Sequence, residues 1–412
     1  MQTLKLDRQQ LSRKLSLVSG VAGKGEKSIL IRQELVGGED LTLVGGEYLT
    51  LVAYDLTTQI MTTVDAQSDS PGGTDQENLF EIVLDYDSFS KWVNLVDQPT
   101  LTLKHDGTRD DPAPVKAQCG KYKATFKQTN LIDYFSLMVR SGTLDESSHT
   151  FVTVDKGDLL KACERVLTSR ERSGARPILS GIYFRIESDD SGDRIEMVSS
   201  DGFRMSRERV KITYRVMTPE RPTEFILDGI GVIELAKVLR SSSADSVRLT
   251  YDLNSQRTKA GIPHFQIDKT NVAIQMVEGK YPNYKAIIEP TEKYVSTMTV
   301  DKRDFARALK LARMFAFGEL DGADFSFQHS GGVLTIFAQG DEVGDVTLEL
   351  EAVTTDDLPE GEFRLSTSMM ADCVPTLDNV MVQIAHQSEG NGSPVRVQEN
   401  DFVYVVMPMV AQ

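Results

Sequence analysis

The chain is poor in the residues that build most catalytic, metal and disulfide chemistry. Its 412 residues hold three cysteines, five histidines and one tryptophan. Cys119, Cys163 and Cys373 lie far apart. An odd, scattered set makes neither a disulfide framework nor a zinc site, and it fits a reducing compartment. His105, His149, His264, His329 and His386 stand alone, without H-E-x-x-H or Cys/His ligand spacing. There is no G-x-S-x-G nucleophile turn. The Gly23–Ser28 stretch departs from a phosphate loop because Glu26 stands where the lysine belongs. Gly229-Ile230-Gly231 lacks the third glycine of a dinucleotide fingerprint, since Glu234 takes that place. Asp110-Asp111 and Asp189-Asp190 are adjacent carboxylates in turn-like segments, where neighbouring side chains diverge. The expectation is a protein with no catalytic residue, no metal and no cofactor. Positive charge is also scarce: 45 Lys and Arg face 61 Asp and Glu, for a net charge of −16. That excludes a surface coated in cations, though not a basic stripe inside an acidic shell. The longest apolar stretch, Val403–Ala411, is too short to span a bilayer. The opening MQTLKLDRQQ has no signal-peptide core. A cytoplasmic location without membrane contact is therefore expected.

What is present is repetition. LDRQQLSR begins at residue 6, VDKGDLLK at 154 and VDKRDFAR at 300. The nearly equal spacing of [Leu/Val]-Asp-[Lys/Arg]-x-x-[Leu/Phe]-x-[Lys/Arg] predicts three similar domains: 1–148, 149–291 and 292–412. Each octet opens an amphipathic helix, with Leu11, Leu15 and Val18, then Leu159, Cys163 and Val166, then Phe305, Leu309 and Ala312 on its apolar stripe. Strand-like runs follow: SILIRQEL, LTLVGG and YLTLVAYDL in the first repeat, GIYFRIES, RIEMVSSDG and FRMSRERV in the second, ADFSFQHS, VLTIFAQG and VTLELEAV in the third. A second short helix is expected over 86–95, 231–239 and 368–377, with further strands closing each repeat. Residues 65–76 read as a solvated loop and 188–193 as a hairpin tip. The fold class is α+β, each domain carrying two helices on antiparallel strands.

The cations cluster at equivalent places. Residues 5–27, 156–176 and 301–313 carry net charges of +4, +3 and +3. At 100° per residue, Arg13 lies opposite the apolar stripe of the first helix, Lys161 and Arg165 opposite that of the second, and Arg303, Arg307 and Lys310 opposite that of the third. Arg8, Lys156 and Lys302 share a position at the helix start. Solvated surface explains one such helix; three equivalent ones in an acidic chain point to a polyanion, contacted through phosphates, since few aromatics accompany them.

Four motifs stand out: Arg176-Pro-Ile-Leu-Ser-Gly-Ile-Tyr-Phe184, read as a strand, Ser199-Ser-Asp-Gly-Phe-Arg-Met205, Tyr281-Pro-Asn-Tyr-Lys-Ala-Ile-Ile-Glu-Pro290 and Val403-Tyr-Val-Val-Met-Pro-Met409. Together they resemble the bacterial sliding clamp family, the beta subunit of the replicative DNA polymerase. The resemblance implies three clamp domains forming half of a closed ring, completed by a second copy head to tail. It implies double-stranded DNA in the hole, held without sequence preference, and a non-catalytic role as processivity factor. The implied partners are the replicative polymerase, an ATP-dependent clamp loader and other proteins with clamp-binding motifs. The implied inner surface is Arg8, Arg13, Lys24, Lys27, Lys156, Lys161, Arg165, Arg170, Arg172, Arg303, Arg307 and Lys310. The implied client-peptide pocket is Arg176, Leu179, Gly202, Phe203, Arg204, Met205, Pro282, Ile287, Val405, Met407, Pro408 and Met409, with Arg176 and Arg204 offered to a peptide acid or carbonyl. Ala286 and Phe203 depart from the family pattern, as does Lys310 beside Leu311 near the implied dimer contact. Competing readings are an enzyme whose residues converge from different repeats, and a clamp-like scaffold without DNA binding.

Overall fold

The computed structural model describes residues 2–23, 27–33, 48–68, 80–107, 113–129, 150–189, 192–216, 224–251, 262–288, 294, 296–316, 322–328, 332–340, 343–355, 361–386 and 394–409. The first repeat runs β1 (Gln2–Asp7), α1 (Arg8–Ala22), β2 (Ser28–Gln33), β3 (Tyr48–Tyr54), β4 (Thr58–Ser68), β5 (Glu81–Asp85), α2 (Tyr86–Leu95), β6 (Thr100–His105), β7 (Val115–Cys119) and β8 (Tyr122–Phe126). The second runs β9 (Thr150–Asp155), α3 (Lys156–Leu167), a single turn α4 (Pro177–Ser180), β10 (Gly181–Asp189), β11 (Gly192–Ser200), β12 (Arg204–Val216), β13 (Glu224–Asp228), α5 (Gly229–Ser241), β14 (Ser246–Tyr251), β15 (His264–Ile267) and β16 (Thr270–Ile274). A one-turn α6 (Lys285–Ile288) precedes the third: β17 (Ser296–Asp301), α7 (Lys302–Phe315), β18 (Gly322–Gln328), β19 (Val333–Gly340), β20 (Gly344–Thr354), β21 (Gly361–Ser366), α8 (Thr367–Cys373), β22 (Met381–His386), β23 (Val395–Glu399) and β24 (Phe402–Val406). The fold is α+β with antiparallel pairing.

The wiring recurs with the elements. In each repeat the first strand pairs with the fourth and sixth, the second with the third and fifth, and the last three form a meander. The octet marks the seam between first strand and first helix. Its Leu or Val ends the buried strand, and its Asp caps the helix. Asp7 accepts from Gln10 N at 2.7 Å, and Asp301 from Arg303 N and Asp304 N at 2.8 and 3.1 Å. The second helices are capped alike by Asp85, Asp228 and Ser366.

The chain forms two compact units. One comprises Met1–Lys156, Tyr214–Arg221 and Glu234–Gln275; the other Gly157–Thr213, Pro222–Ile233 and Met276–Gln412. Each joins a terminal repeat to part of the middle one through one strand pair. In the first unit β16 adds to β4, Thr270 opposite Thr62, with their hydroxyls 2.8 Å apart. In the second β24 adds to β12, Val406 opposite Arg204 and Val403 opposite Arg207. The third repeat buries Phe305, Leu309, Leu334, Ile336, Phe402 and Tyr404 in one core.

Some expectations change. Residues 177–180 form a helical turn rather than strand, with Pro177 at its start where a missing N–H costs nothing. The loop expected at 65–76 begins later, because β4 continues through Ser68 to pair with β1. The helix expected at 368–377 is α8 followed by a 3₁₀ turn, Val374–Thr376, tightened at Pro375. The LTLVGG strand lies outside the described residues. Because Asp301 satisfies two orphan N–H groups, Asp301→Ala should destabilise the protein by about 1 kcal/mol, with Asp301→Asn costing much less; urea unfolding measures both.

Candidate functional site

Two sets of residues were expected to act. The first is cationic. Among the expected phosphate contacts, Arg13, Arg303, Arg307 and Lys310 are exposed on the outer faces of α1 and α7, joined on α7 by Arg313. Others are engaged. Lys27 pairs with Asp87 at 3.1 Å, Lys161 with Asp378, and Arg172 with Asp372 at 3.4 Å. Lys156 donates to Ser242 O at 3.3 Å, as Lys302 does to Leu377 O at 2.7 Å, so this shared position ties the first helix to the end of the second. Arg170 is half-buried against Gly229 and donates to Glu171 O. Arg8 is half-buried, and Lys24 lies outside the described residues.

Arg165 is a correction. Helical spacing puts it opposite the apolar stripe, but its side chain is only 2% exposed. Nη1 meets Glu208 at 2.7 Å, Nη2 meets Glu399, Nε donates to Thr376 O at 3.1 Å, and the guanidinium lies 4.7 Å from the Phe402 ring centroid. β24 docks on the side of α3 that a lone amphipathic helix would present to water. No phosphate reaches that group. The signal was in the octets: four residues past Arg13 and Arg307 stand Leu17 and Leu311, so Arg165 occupies an apolar position of the repeat.

The second set surrounds the seam of β12 and β24. Met205 and Val405 pair across it and are buried. With Tyr183, Val198, Ile226, Tyr281, Tyr284, Ile288 and Val403 they form one apolar cluster, against which Ile178 and Leu179 pack. Above it Phe203 is 60% exposed and Met407 is also open, held together by Met407 N donating to Phe203 O at 2.8 Å. Ile287 is exposed on α6 beside buried Ile288. Pro282 is exposed, and Pro408 and Met409 are half-buried.

The turn between β11 and β12 presents Phe203. Asp201 accepts from Phe203 N and Arg204 N, both at 3.0 Å. Gly202 has φ +90, which only glycine takes without strain, and an added Cβ would fall 2.3 Å from Arg176 Nη1. Arg176 donates to Asp201 O at 2.7 Å and is exposed. Arg204 is a second correction. It is buried, with Nε on Asp201 at 2.8 Å and Nη1 on Asp372 at 2.9 Å, so it is not free for a peptide acid. Both carboxylates, missed in the sequence, fix the turn instead.

A further missed residue is Glu171. Hydrogen bonds from Ser173 Oγ and from Ser180 Oγ (2.8 Å), with those from Ser173 N (2.7 Å) and Gly174 N (2.8 Å), lower its pKa from 4.5 to about 2. It holds the 171–180 segment that carries Arg176 and Leu179. Among the described residues no cluster of three metal-ligating side chains occurs, and no helix is long and apolar enough to cross a membrane.

This arrangement of strands and helices is that of the sliding clamps. The DNA polymerase III beta subunit of Thermotoga maritima superposes with a TM-score of 0.78 at 16% identity, covering 100% of both chains. The DNA polymerase sliding clamp of Bacillus subtilis gives 0.79 at 15%, again over 100% of both. The C. crescentus beta sliding clamp, crystallised with PEG at a proposed beta-motif tethering region, gives 0.78 at 17%, covering 100% of this chain and 99% of that one. No curated protein sequence matches. Residues 153–283 match the family described as DNA polymerase III beta subunit, central domain. The middle third of this chain thus carries that family's sequence signature, and the whole chain has its fold, in agreement with the motifs read above.

A depressed carboxylate adds stability above its unfolded pKa and loses it as pH falls through the folded one. The melting temperature of wild type should therefore exceed that of Glu171→Gln above about pH 4.5, and the gap should close as pH approaches about 2. Thermal melts across that window measure it.

Proposed function

We propose that this chain is a DNA sliding clamp, a non-catalytic processivity factor in which two chains close head to tail around duplex DNA. Its domains are 1–148, 149–291 and 292–412. The observation that carries the reading is a strand left over at each end. The fourth strand of the first repeat takes the eighth of the second (β4 with β16), and the fourth of the second takes the eighth of the third (β12 with β24). β20 and β8 are the fourth and eighth strands without such a partner among the described residues. An open edge is a template for another chain, and a heterologous contact of this kind builds a ring when its rotation closes.

The repeat also sets the register. Leu6 faces Ala66 and Val300 faces Ala352, so Leu348 stands in the third repeat where Thr62 stands in the first. Tyr122 of a second chain would then face Leu348, as Thr270 faces Thr62. Lys121 would face Glu351, as Lys269 faces Asp65 at 3.5 Å. The charges agree: Lys123 is exposed on β8 and Lys121 and Lys127 flank it, while Asp345, Glu349 and Glu351 are exposed on β20. Apolar side chains are stranded at the same two ends, Leu95 at 84% exposure and Leu311 at 39%. A cavity of about 830 Å³ lies between α7 and β20, lined by Leu311, Leu348, Leu350 and Val353 together with Asp304, Arg307, Glu349 and Glu351. Lys310 and Arg303 do not line it.

A closed ring holds DNA by topology, so its contacts can stay weak. The exposed Arg13, Arg303, Arg307 and Lys310 supply phosphate contacts without gripping base edges, which permits sliding. A polymerase tethered to the ring stays at high effective concentration near the primer end. Opening the ring is left to an ATP-dependent loader. The Phe203–Met407 patch, with Arg176 at its rim, takes short client peptides combining apolar and acidic side chains.

After loading, the protein should stay on nicked circular DNA and be lost when the circle is linearised; equal retention on both would refute encirclement. Replacing Arg303, Arg307 and Lys310 with Glu should weaken retention and flatten the salt dependence by about 0.9 for each phosphate no longer neutralised. Phe203→Ala with Met407→Ala should weaken client-peptide binding about tenfold or more while DNA retention persists, as titration calorimetry and retention assays would show.

A further inference from the structure

The repeat allows the strand seams to be compared position by position. Three places matter: the helix residue four past Arg13, Lys161 or Arg307; the fourth-strand residue equivalent to Thr62; and the end of the seventh strand of the following repeat. At the first seam these are Leu17, Thr62 and Ile267. At the second they are Arg165, Glu208 and Glu399. At the seam proposed above, between chains, they are Leu311, Leu348 and the second chain's Cys119. Only the middle seam carries charge at these three places.

That triad is complete. Arg165 meets Glu208 and Glu399 with its two terminal nitrogens and Thr376 O with Nε. Glu399 also accepts from Asp378 N at 3.0 Å and Asn379 N at 2.6 Å. All three side chains are buried. Such a set adds little stability over a well-packed apolar one, but any member buried without the others is costly. Placed on β20, β24 would bury Glu399 against Leu311 and Leu348 with no cation, leaving its charge only the N–H groups of Asp378 and Asn379. Placed on β12, β8 would bring Cys119 to Arg165 and leave the guanidinium short of an acceptor. Both mismatches are disfavoured, and both matches are not.

We infer that Arg165, Glu208 and Glu399 form a pairing code, which reserves β12 for β24 of the same chain and keeps the β20–α7 face, apolar at the equivalent Leu311 and Leu348, for the β8 end of a second chain. The second half of this inference rests on the head-to-tail reading; the first does not.

The test uses the full chain, with mass by sedimentation and stability by thermal melting. Arg165→Leu alone strands two carboxylates and should lower the melting temperature markedly. The triple variant Arg165→Leu, Glu208→Thr, Glu399→Ile installs the residues of the first seam. It should recover most of that loss yet exchange strands between chains, giving several larger species that grow with concentration where wild type gives one two-chain species. A triple variant with the mass distribution of wild type, or one that fails to fold, overturns the code. A wild type that stays a single chain at every concentration refutes the head-to-tail reading. The reservation of β12 is then decided by the triple variant: larger species support it, and single-chain mass overturns it.

Discussion

Strand pairing between repeats is the interaction on which the rest of the structure depends. A sheet edge carries N–H and C=O groups that must be satisfied, and a repeat that ends in an open edge satisfies them with its neighbour. The pairs β4–β16 and β12–β24 do this inside the chain. They also place side chains that no single repeat would bring together. Glu399 reaches Arg165, and Met407 reaches Phe203, only because β24 lies along β12.

The same docking decides what the cations are for. A first helix with a neighbour seated on its flank loses part of its solvent face. On α3 that flank holds Arg165, which becomes an internal group, and Lys161 is drawn to Asp378. On α7 no described strand covers the equivalent flank, and Arg303, Arg307 and Lys310 stay exposed. Equivalent positions therefore do unequal work. The Phe203–Met407 patch differs between seams in the same way: Thr57 O accepts from Gln275 N at 2.7 Å where Phe203 O accepts from Met407 N, so the backbone recurs while the apolar side chains do not.

Electrostatics and packing are divided along these lines. Exposed charge on α7 costs little to keep in water. Buried charge at Arg165 is tolerated only with a full set of partners. Asp201 and Asp372 lock Arg204 by the same logic, leaving Arg176 as the exposed guanidinium beside Phe203.

The three octets were enough to locate each strand-to-helix seam, because an Asp that caps a helix and a Leu or Val that ends a buried strand act within a few residues of themselves. Amphipathic spacing likewise located α1, α3 and α7, and the Ser199–Met205 and Val403–Met409 motifs located the two strands of the patch. The burial of Arg165 and Arg204, the loss of strand at 177–180 and the cage around Glu171 were not legible. Arg165 is paired with Glu208 and Glu399, 43 and 234 residues away, Arg204 with Asp372, 168 away, and the cage around Glu171 is completed by Ser180, nine residues on. Local chemistry, which is set by neighbours along the chain, was determined by sequence alone. Which polar groups face water and which face each other was decided only by tertiary structure, since desolvation depends on what arrives from elsewhere in the chain.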